Sequence, residues 1–333
     1  MVSRATLALV GGESLLGREI RDIVATSESG FNLRLIAAED EETGRLTRVG
    51  DEPSMVSGLA AGNLSGAQAI LLAGSPESSR KVLELAGDSS AVIDLTYAAE
   101  DHPNARLRAP SVETEPEEDE RNVHVIAHPA AIAVAVFLRR LQAHDPLRRS
   151  IVQILAPASA QGKAGLEELQ QQAVNLLSFK PLPKAVYDAQ VGFNLLARFG
   201  DEAPASLEES ELRIERHLAT LLSLPGDGEG APLPSLRVIQ APVFHGYTFS
   251  AWVEFESNPG VEALESGLAT EGIDVHGEDL EPPNIVGQAG QGGIAVGGIA
   301  ADRNNADACW FWVVTDNLRL MAENAVAVAN QIL

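Results

Sequence analysis

The sequence predicts an α/β protein with a doubly wound, parallel-sheet domain and a second α+β domain. Three observations carry this. Short apolar runs alternate with helical patterns over the first third of the chain, which is the signature of a mostly parallel sheet. From Ser150 the pattern changes to long strand-like runs around two long helices. The chain is 333 residues long and 45% hydrophobic, which suits two cores better than one.

Thr6 to Val10 is apolar throughout and reads as a buried parallel strand. A glycine turn follows, and then Leu15, Leu16, Ile20 and Ile23 fall on one helical face. Leu33 to Ala38, Ala69 to Ala73 and Ala91 to Leu95 read as further strands, with a helix from about Ser79 to Ala86. The acidic run at 113–121 reads as a solvated loop. Beyond it come another strand and a helix entered through Pro129, since a first-turn proline forfeits no hydrogen bond. A strand is expected from Ser150, and others at Leu236 to Ala241, Ser250 to Glu256 and Gly292 to Ala300. Helices are expected over 162–177 and 203–224, the second with Ser206 and Glu209 as a capping box. Residues 225–234 read as a Gly/Pro linker, and 317–333 as a packed terminal helix. The expected division is 1–132 plus 313–333 for the first domain and 133–312 for the second.

Lys and Arg total 24 against 47 Asp and Glu, a formal charge of −23. That excess argues against a nucleic-acid backbone or an anionic membrane as the main partner. A single cysteine, Cys309, rules out an internal disulfide and a Cys-rich metal site, and no metal is expected. The opening residues lack a secretory h-region, and no apolar stretch reaches membrane-spanning length, so a cytoplasmic location is expected.

Gly11, Gly12 and Gly17, with Ser14 between them, resemble a phosphate-binding turn, although the Gly-x-Gly-x-x-Gly spacing is absent. A tight turn serving strand-to-helix packing explains the same glycines. Glu39, Asp40, Glu41 and Glu42 follow the second strand. Acids there repel a 2′-phosphate, and Glu39 or Asp40 is placed to hold a ribose hydroxyl. NADP is therefore disfavoured as a cofactor and NAD stays open.

Eight segments, in order, resemble the aspartate-semialdehyde dehydrogenase family. They are LVGGESLLG, ILLAGSPESS, AVIDLTYAAE, VIAHPAAIAVAVFL, APASAQGKAGLEEL, VGFNLLARFG, IQAPVFHGYTFSAWVEF and FWVVTDNLRLMAENAVAVANQI. ASAQGK, GFNLL and APVFHGY are most similar to a divergent branch, the USG-1-like proteins. The resemblance implies a Rossmann-type NAD(P)-binding domain, in which Gly11, Gly12, Ser14, Gly17, Glu39 and Gly74 would face a cofactor. It also implies an α+β dimerisation domain. The family's reaction is reversible reduction of an acyl phosphate to an aldehyde with NADPH, through a cysteine thioacyl intermediate and a general acid/base histidine.

Here the matching positions differ. Ala131 stands at the cysteine, Tyr247 at the histidine, Gln240 at the substrate-binding arginine, Ala158 at a glutamine and Glu211 at a lysine. Thiolate chemistry needs a nucleophile and a base, and both are replaced. The resemblance thus implies a catalytically impaired homologue that acts through an unidentified small molecule or protein partner. The alternative is an NAD-dependent oxidoreductase acting on an aldehyde or related small molecule with a rebuilt active site. Candidates for such a pocket are His128, His245, Tyr247, Ser159 and Asn317. Asp316 and Asn317 also read as a helix cap, and Cys309 as a buried small hydrophobe. A weakly charged second-domain sheet, covered by helices on one face only, points to a homodimer.

Overall fold

A computed structural model of the chain describes residues 5–26, 30–39, 41–86, 90–114, 122–225 and 230–333. The chain separates into two compact units, residues 1–127 with 321–333, and residues 128–320.

The first unit contains β1 (Thr6–Val10), α1 (Leu15–Thr26), β2 (Asn32–Ile36), β3 (Leu46–Val49), β4 (Glu52–Met55) and α2 (Ala61–Leu64). It continues with β5 (Ala69–Leu72), α3 (Pro76–Ala86), β6 (Ala91–Asp94), β7 (Ala105–Arg108) and β8 (Val123–Ile126). Its main sheet runs β2-β1-β5-β6-β8-β7 and every pair in it is parallel. Leu7 to Val10 and Ala69 to Leu72 are fully buried, as central strands covered on both faces must be. Strand order reverses at β1 and β5, and sheets of this kind bind ligands at the carboxyl ends of such strands.

This unit departs from the sequence reading in α2 and β7, which that reading does not contain, in a hairpin, and in the setting of Glu113. The hairpin of β3 and β4 lies where the composition is polar and Pro53 interrupts any strand pattern. Arg21 fixes it to α1, its guanidinium donating to Thr47 Oγ1 and to the carbonyl of Arg48. Glu113, at the head of the acidic run, is not solvated. Its carboxylate is buried against Arg108 at 2.8 Å and accepts the Ala109 N–H at 2.7 Å. Residues 115–121 of that run lie outside the described residues.

The second unit contains α4 (Pro129–His144), β9 (Leu147–Ala156), α5 (Gly162–Leu177), α6 (Leu207–Leu222), β10 (Ser235–Gln240) and β11 (Tyr247–Phe255). It goes on through α7 (Val261–Leu268), β12 (Ile273–His276), β13 (Ile294–Ala301) and β14 (Ala308–Thr315) into α8 (Asn317–Ile332), whose later turns belong to the first unit. Its six-stranded sheet runs β10-β9-β11-β14-β13-β12. The two outer pairs, β10 with β9 and β12 with β13, are parallel and the rest are antiparallel. All of α4 falls in this unit, so the break after Ala127 comes before the helix and not inside it at 132. That helix is buried almost all round from Pro129 to Ala135, and Phe137 meets Phe311 of β14 edge-to-face at 5.1 Å.

The two faces of this sheet differ. Val152, Ile154, Phe249, Ala251, Val253, Phe311 and Val313 are buried. The opposite face carries Ile151, Trp252 and Trp310, which are direct cross-strand neighbours. Ile151 is 48% exposed and Trp310 44%. Asp302 Oδ2 accepts both indole N–H groups at 2.9 Å, and the Arg149 guanidinium lies 5.6 Å from the Trp252 ring centre. These aromatics are held in place on an uncovered surface.

Candidate functional site

In the first unit, the glycine turn sits at the carboxyl end of β1. Gly11 has φ +86, and a Cβ built on it would lie 2.3 Å from the backbone of Gly74, just beyond β5. A Cβ on Gly17 would lie 2.0 Å from the Gly11 carbonyl oxygen. Glycine is required at both positions, because α1 and the β5 loop each press directly on the turn. Gly12 is less confined, since a Cβ on it would come closest to the flexible end of Leu35 at 3.2 Å. Ser14 caps α1. Its hydroxyl donates to the Ala73 carbonyl at 2.6 Å and accepts the Gly17 N–H at 2.9 Å.

The acids after β2 take separate directions. Glu39 is half-exposed, pairs with Lys81 at 3.2 Å, and donates its N–H to Ser78 Oγ. Asp40 lies outside the described residues. Glu41, which sequence reasoning had not singled out, is the acid that reaches the glycine turn. One of its oxygens accepts the Glu13 N–H at 2.9 Å and the other accepts the Ala38 N–H at 3.1 Å. Glu13 is drawn towards Arg21 (2.5 Å), Arg18 (3.4 Å) and Arg45 (4.0 Å). Burial works to raise its pKa, but hydrogen bonds from Thr47 and Arg21 and the guanidinium charges hold the carboxyl below its ordinary value.

In the second unit, four of the five pocket candidates are drawn together. His128 is the N-cap of α4, its Nδ1 accepting the Ala130 N–H at 3.2 Å. Its backbone N–H donates to Nδ1 of buried His217 at 2.9 Å. Its ring meets Tyr247 edge-on at 5.8 Å. Asn317 Oδ1 accepts both Ser159 Oγ (3.2 Å) and the Gly246 N–H (3.0 Å). Asn317 therefore clamps the turn before β11, and the capping of α8 falls to Asp316, which accepts the Leu318 and Arg319 N–H groups. His245 stays out of the cluster, exposed on the turn.

The positions that the resemblance assigns to chemistry carry packing roles. Ala131 is fully buried in the first turn of α4 and presents a methyl group. Ala158 is buried in a 3-10 turn and donates to the Val243 carbonyl at 2.8 Å. Gln240 is fully buried, its Nε2 donating to the carbonyls of Ala156 and Ala241 at 3.0 Å each. Its Oε1 has no hydrogen-bond partner among the described residues. Tyr247 is 2% exposed, and burial pushes its phenol pKa above the ordinary value.

Glu211 accepts the Val238 N–H at 2.7 Å and pairs with Arg237 at 3.4 Å, beside a cleft of about 470 Å³. It ties α6 to β10, an edge strand whose outward N–H groups need partners. Cys309 lies in β14 opposite Val253, six residues from Thr315, the partner of Tyr247. At about 3.3 Å per residue that places it roughly 20 Å along the sheet from Tyr247. Burial raises its thiol pKa. Among the described residues, no group of His, Cys, Asp and Glu could hold a metal ion, and no helix is long and apolar enough to cross a membrane.

Residues 138–320 match the family described as semialdehyde dehydrogenase, dimerisation domain. Over its whole length the chain is 25% identical to an aspartate-semialdehyde dehydrogenase of Rickettsia bellii, covering 99% of that protein. It is 29% identical to a USG-1 protein homolog of Pseudomonas aeruginosa, over 94% of this chain and 93% of the other. Among solved structures, a probable aspartate-semialdehyde dehydrogenase from Pseudomonas aeruginosa superposes with a TM-score of 0.85 at 25% identity, covering 99% of this chain and 98% of that one. Aspartate semialdehyde dehydrogenase II of Vibrio cholerae, solved in complex with ASA, shares the fold with a TM-score of 0.83 at 22% identity, over 99% and 98% of the two chains.

Proposed function

This chain belongs to the semialdehyde dehydrogenase family, and from that premise we propose that it is a homodimeric, cytoplasmic binding member that does not perform the thioacyl reaction. The observation that carries the reading is the buried methyl of Ala131 at the start of α4. The amino terminus of that helix would favour a thiolate, but alanine offers no atom to attack a carbonyl. Tyr247 compounds the loss. Its pKa is raised by burial, so the phenol keeps its proton near neutrality and is unsuited to act as a base. Gln240 supplies no cation for a substrate carboxylate, and both of its N–H groups already serve backbone carbonyls.

Three of the candidate pocket residues, His128, Ser159 and Asn317, are engaged by protein groups, which supports a scaffold role. Ser159 and Gly246 share Asn317, and His128 is tied to His217 and Ala130. A rebuilt oxidoreductase would need one of them to face its substrate. Dimerisation is supported by the face on which exposed Ile151 and Trp310 flank half-buried Trp252. The apolar side chains of that face favour burial at roughly 25 cal/mol per Å², and Asp302 and Arg149 beside them are already engaged with the indoles.

Intact-mass spectrometry after incubation with aspartate semialdehyde and a nicotinamide cofactor tests the absence of covalent chemistry. The expected result is the unmodified chain mass. An acyl adduct mapping to either unit would refute the reading.

A further inference from the structure

We infer that Val174, Leu177, Phe179, Phe193 and Leu195 form a second part of the homodimer interface, covered by another copy of this chain. The inference deepens the assembly proposed above and rests on it, and not on the absence of thioacyl chemistry.

All five side chains are exposed, Phe179 at 98%, Leu177 at 74% and Phe193 at 67%. The backbone brings them together. Val174 and Leu177 stand one turn apart on α5. The Lys180 N–H donates back to the Asn175 carbonyl at 2.9 Å, which keeps Phe179 at the end of that helix. A Cβ on Gly192 would lie 3.1 Å from Leu176 Cδ1 and 3.2 Å from Gln172 Cβ, so Phe193 starts from the flank of the same helix. Together the five offer roughly 600 Å², the upper end of what a monomer leaves open as one patch.

The two rings are held in place. Phe179 and Phe193 have φ +55 and +57, a left-handed conformation that bulky residues rarely take. Asn175 Nδ2 donates to the Pro181 carbonyl at 2.7 Å on the far side of Phe179. Buried Gln172 accepts the Val191 and Gly192 N–H groups at 2.8 and 3.0 Å, and donates to the Pro183 and Ala189 carbonyls. Buried Glu168 accepts the Val186 and Tyr187 N–H groups. A loop fixed in this way, with phenyl rings held out in water, loses little entropy when a partner covers them.

Area, charge and position make the occupant a second copy. The three side chains of the uncovered sheet face offer on the order of 250 Å², whereas a stable interface buries about 800 Å² on each partner. The five residues supply most of the difference. Residues 169–187 contain Lys180 and Lys184 and no acid, in a chain of formal charge −23. Two copies repel each other over most of their surface, and this positive tip is where one attracts the other. Leu196 pairs with Gln240 of β10, so the surface adjoins the same sheet that carries Ile151, Trp252 and Trp310.

Sedimentation velocity of the full chain over a dilution series gives the dimer Kd. F179N/F193N is expected to raise it at least about thirty-fold. Asparagine accepts a positive φ better than phenylalanine does and both rings are exposed, so the monomer keeps its fold, which far-UV circular dichroism checks. K180E/K184E, at two exposed lysines, is expected to weaken the dimer more at low salt than at high salt. L46N, at an exposed leucine of the first unit, is expected to leave the Kd within about three-fold.

A dimer indifferent to F179N/F193N and to K180E/K184E would overturn the inference, giving this surface to a different occupant and the assembly to the sheet face alone. Equal weakening by L46N would overturn it as well. A wild-type monomer at micromolar concentration would overturn the proposed homodimer and this inference together.

Discussion

The Cys309 thiol is fully buried in β14 beside Asn258, and the Asp302 charge acts against a thiolate there. Burial raises its pKa, so we expect it to resist iodoacetamide in the folded protein at pH 7.5 and to react fully once urea unfolds the chain. Fast labelling of the native state, read by mass spectrometry, would contradict this burial. Glu211 gives a second residue-scale expectation. Glu211→Ala leaves the Val238 N–H without its 2.7 Å partner, and a loss of about 1 kcal/mol is expected in urea denaturation. An unchanged midpoint would show that solvent replaces the carboxylate at no cost. At this scale the sequence displays which residues stand at the positions the resemblance assigns to chemistry, and the packing roles of those side chains are not visible in it. Nothing in a helical pattern says that Glu211 reaches across to an edge strand. Likewise, four consecutive acids do not reveal that Glu41, and not Glu39, turns back to the glycine turn, because that depends on the Ala38 to Glu41 turn and on Lys81 from a distant helix.

The clearest constraint on an element is the close approach of α1 to the turn that precedes it. In Gly17→Ala the new Cβ would lie 2.0 Å from a carbonyl oxygen, so α1 must shift. A loss of about 3 kcal/mol or more is expected by thermal or chemical denaturation. Gly12→Ala meets only side-chain atoms, the nearest the flexible end of Leu35 at 3.2 Å, and is expected to cost much less. Strand β12 carries a pH-dependent tie. His276 Nδ1 lies 2.7 Å from the Glu281 carbonyl, and its Nε2 lies 3.1 Å from Asp274. The carbonyl, and then Asp274, hold its pKa above the ordinary value against the opposing effect of burial. A raised histidine stabilises the fold fully below its unfolded pKa of about 6.5, and that contribution fades as pH rises through the folded value. The Tm difference between wild type and His276→Gln should therefore be larger at pH 5.5 than at pH 8.5, and a larger difference at pH 8.5 would reverse the assignment. Most elements were legible because their apolar period is clean, as in β1, β5 and α6. The β3–β4 hairpin was not, because polar residues held by one buried arginine leave no period to read.

For the whole molecule, the uncovered face of the second unit's sheet sets the expected assembly. Ile151, Trp252 and Trp310 lie side by side, with both indoles fixed by Asp302. Size exclusion with light scattering is expected to give twice the 35.2 kDa chain mass, and Trp310→Glu, which places a charge on that face, is expected to shift the protein towards monomer. A wild-type monomer at micromolar concentration would leave that face unexplained. The two-domain fold was legible from the change of pattern near Ser150. The face left uncovered was legible only in part, since strand alternation shows two faces without showing which one helices cover. Alanine and tyrosine stand where the resemblance places the nucleophile and the base, and the proposed function follows from that exchange. Phosphate-dependent oxidation of aspartate semialdehyde, followed by the absorbance of reduced nicotinamide with NAD and with NADP, puts it to the test. A rate equal to the buffer control is expected with either cofactor, and turnover well above that control would contradict the proposed function.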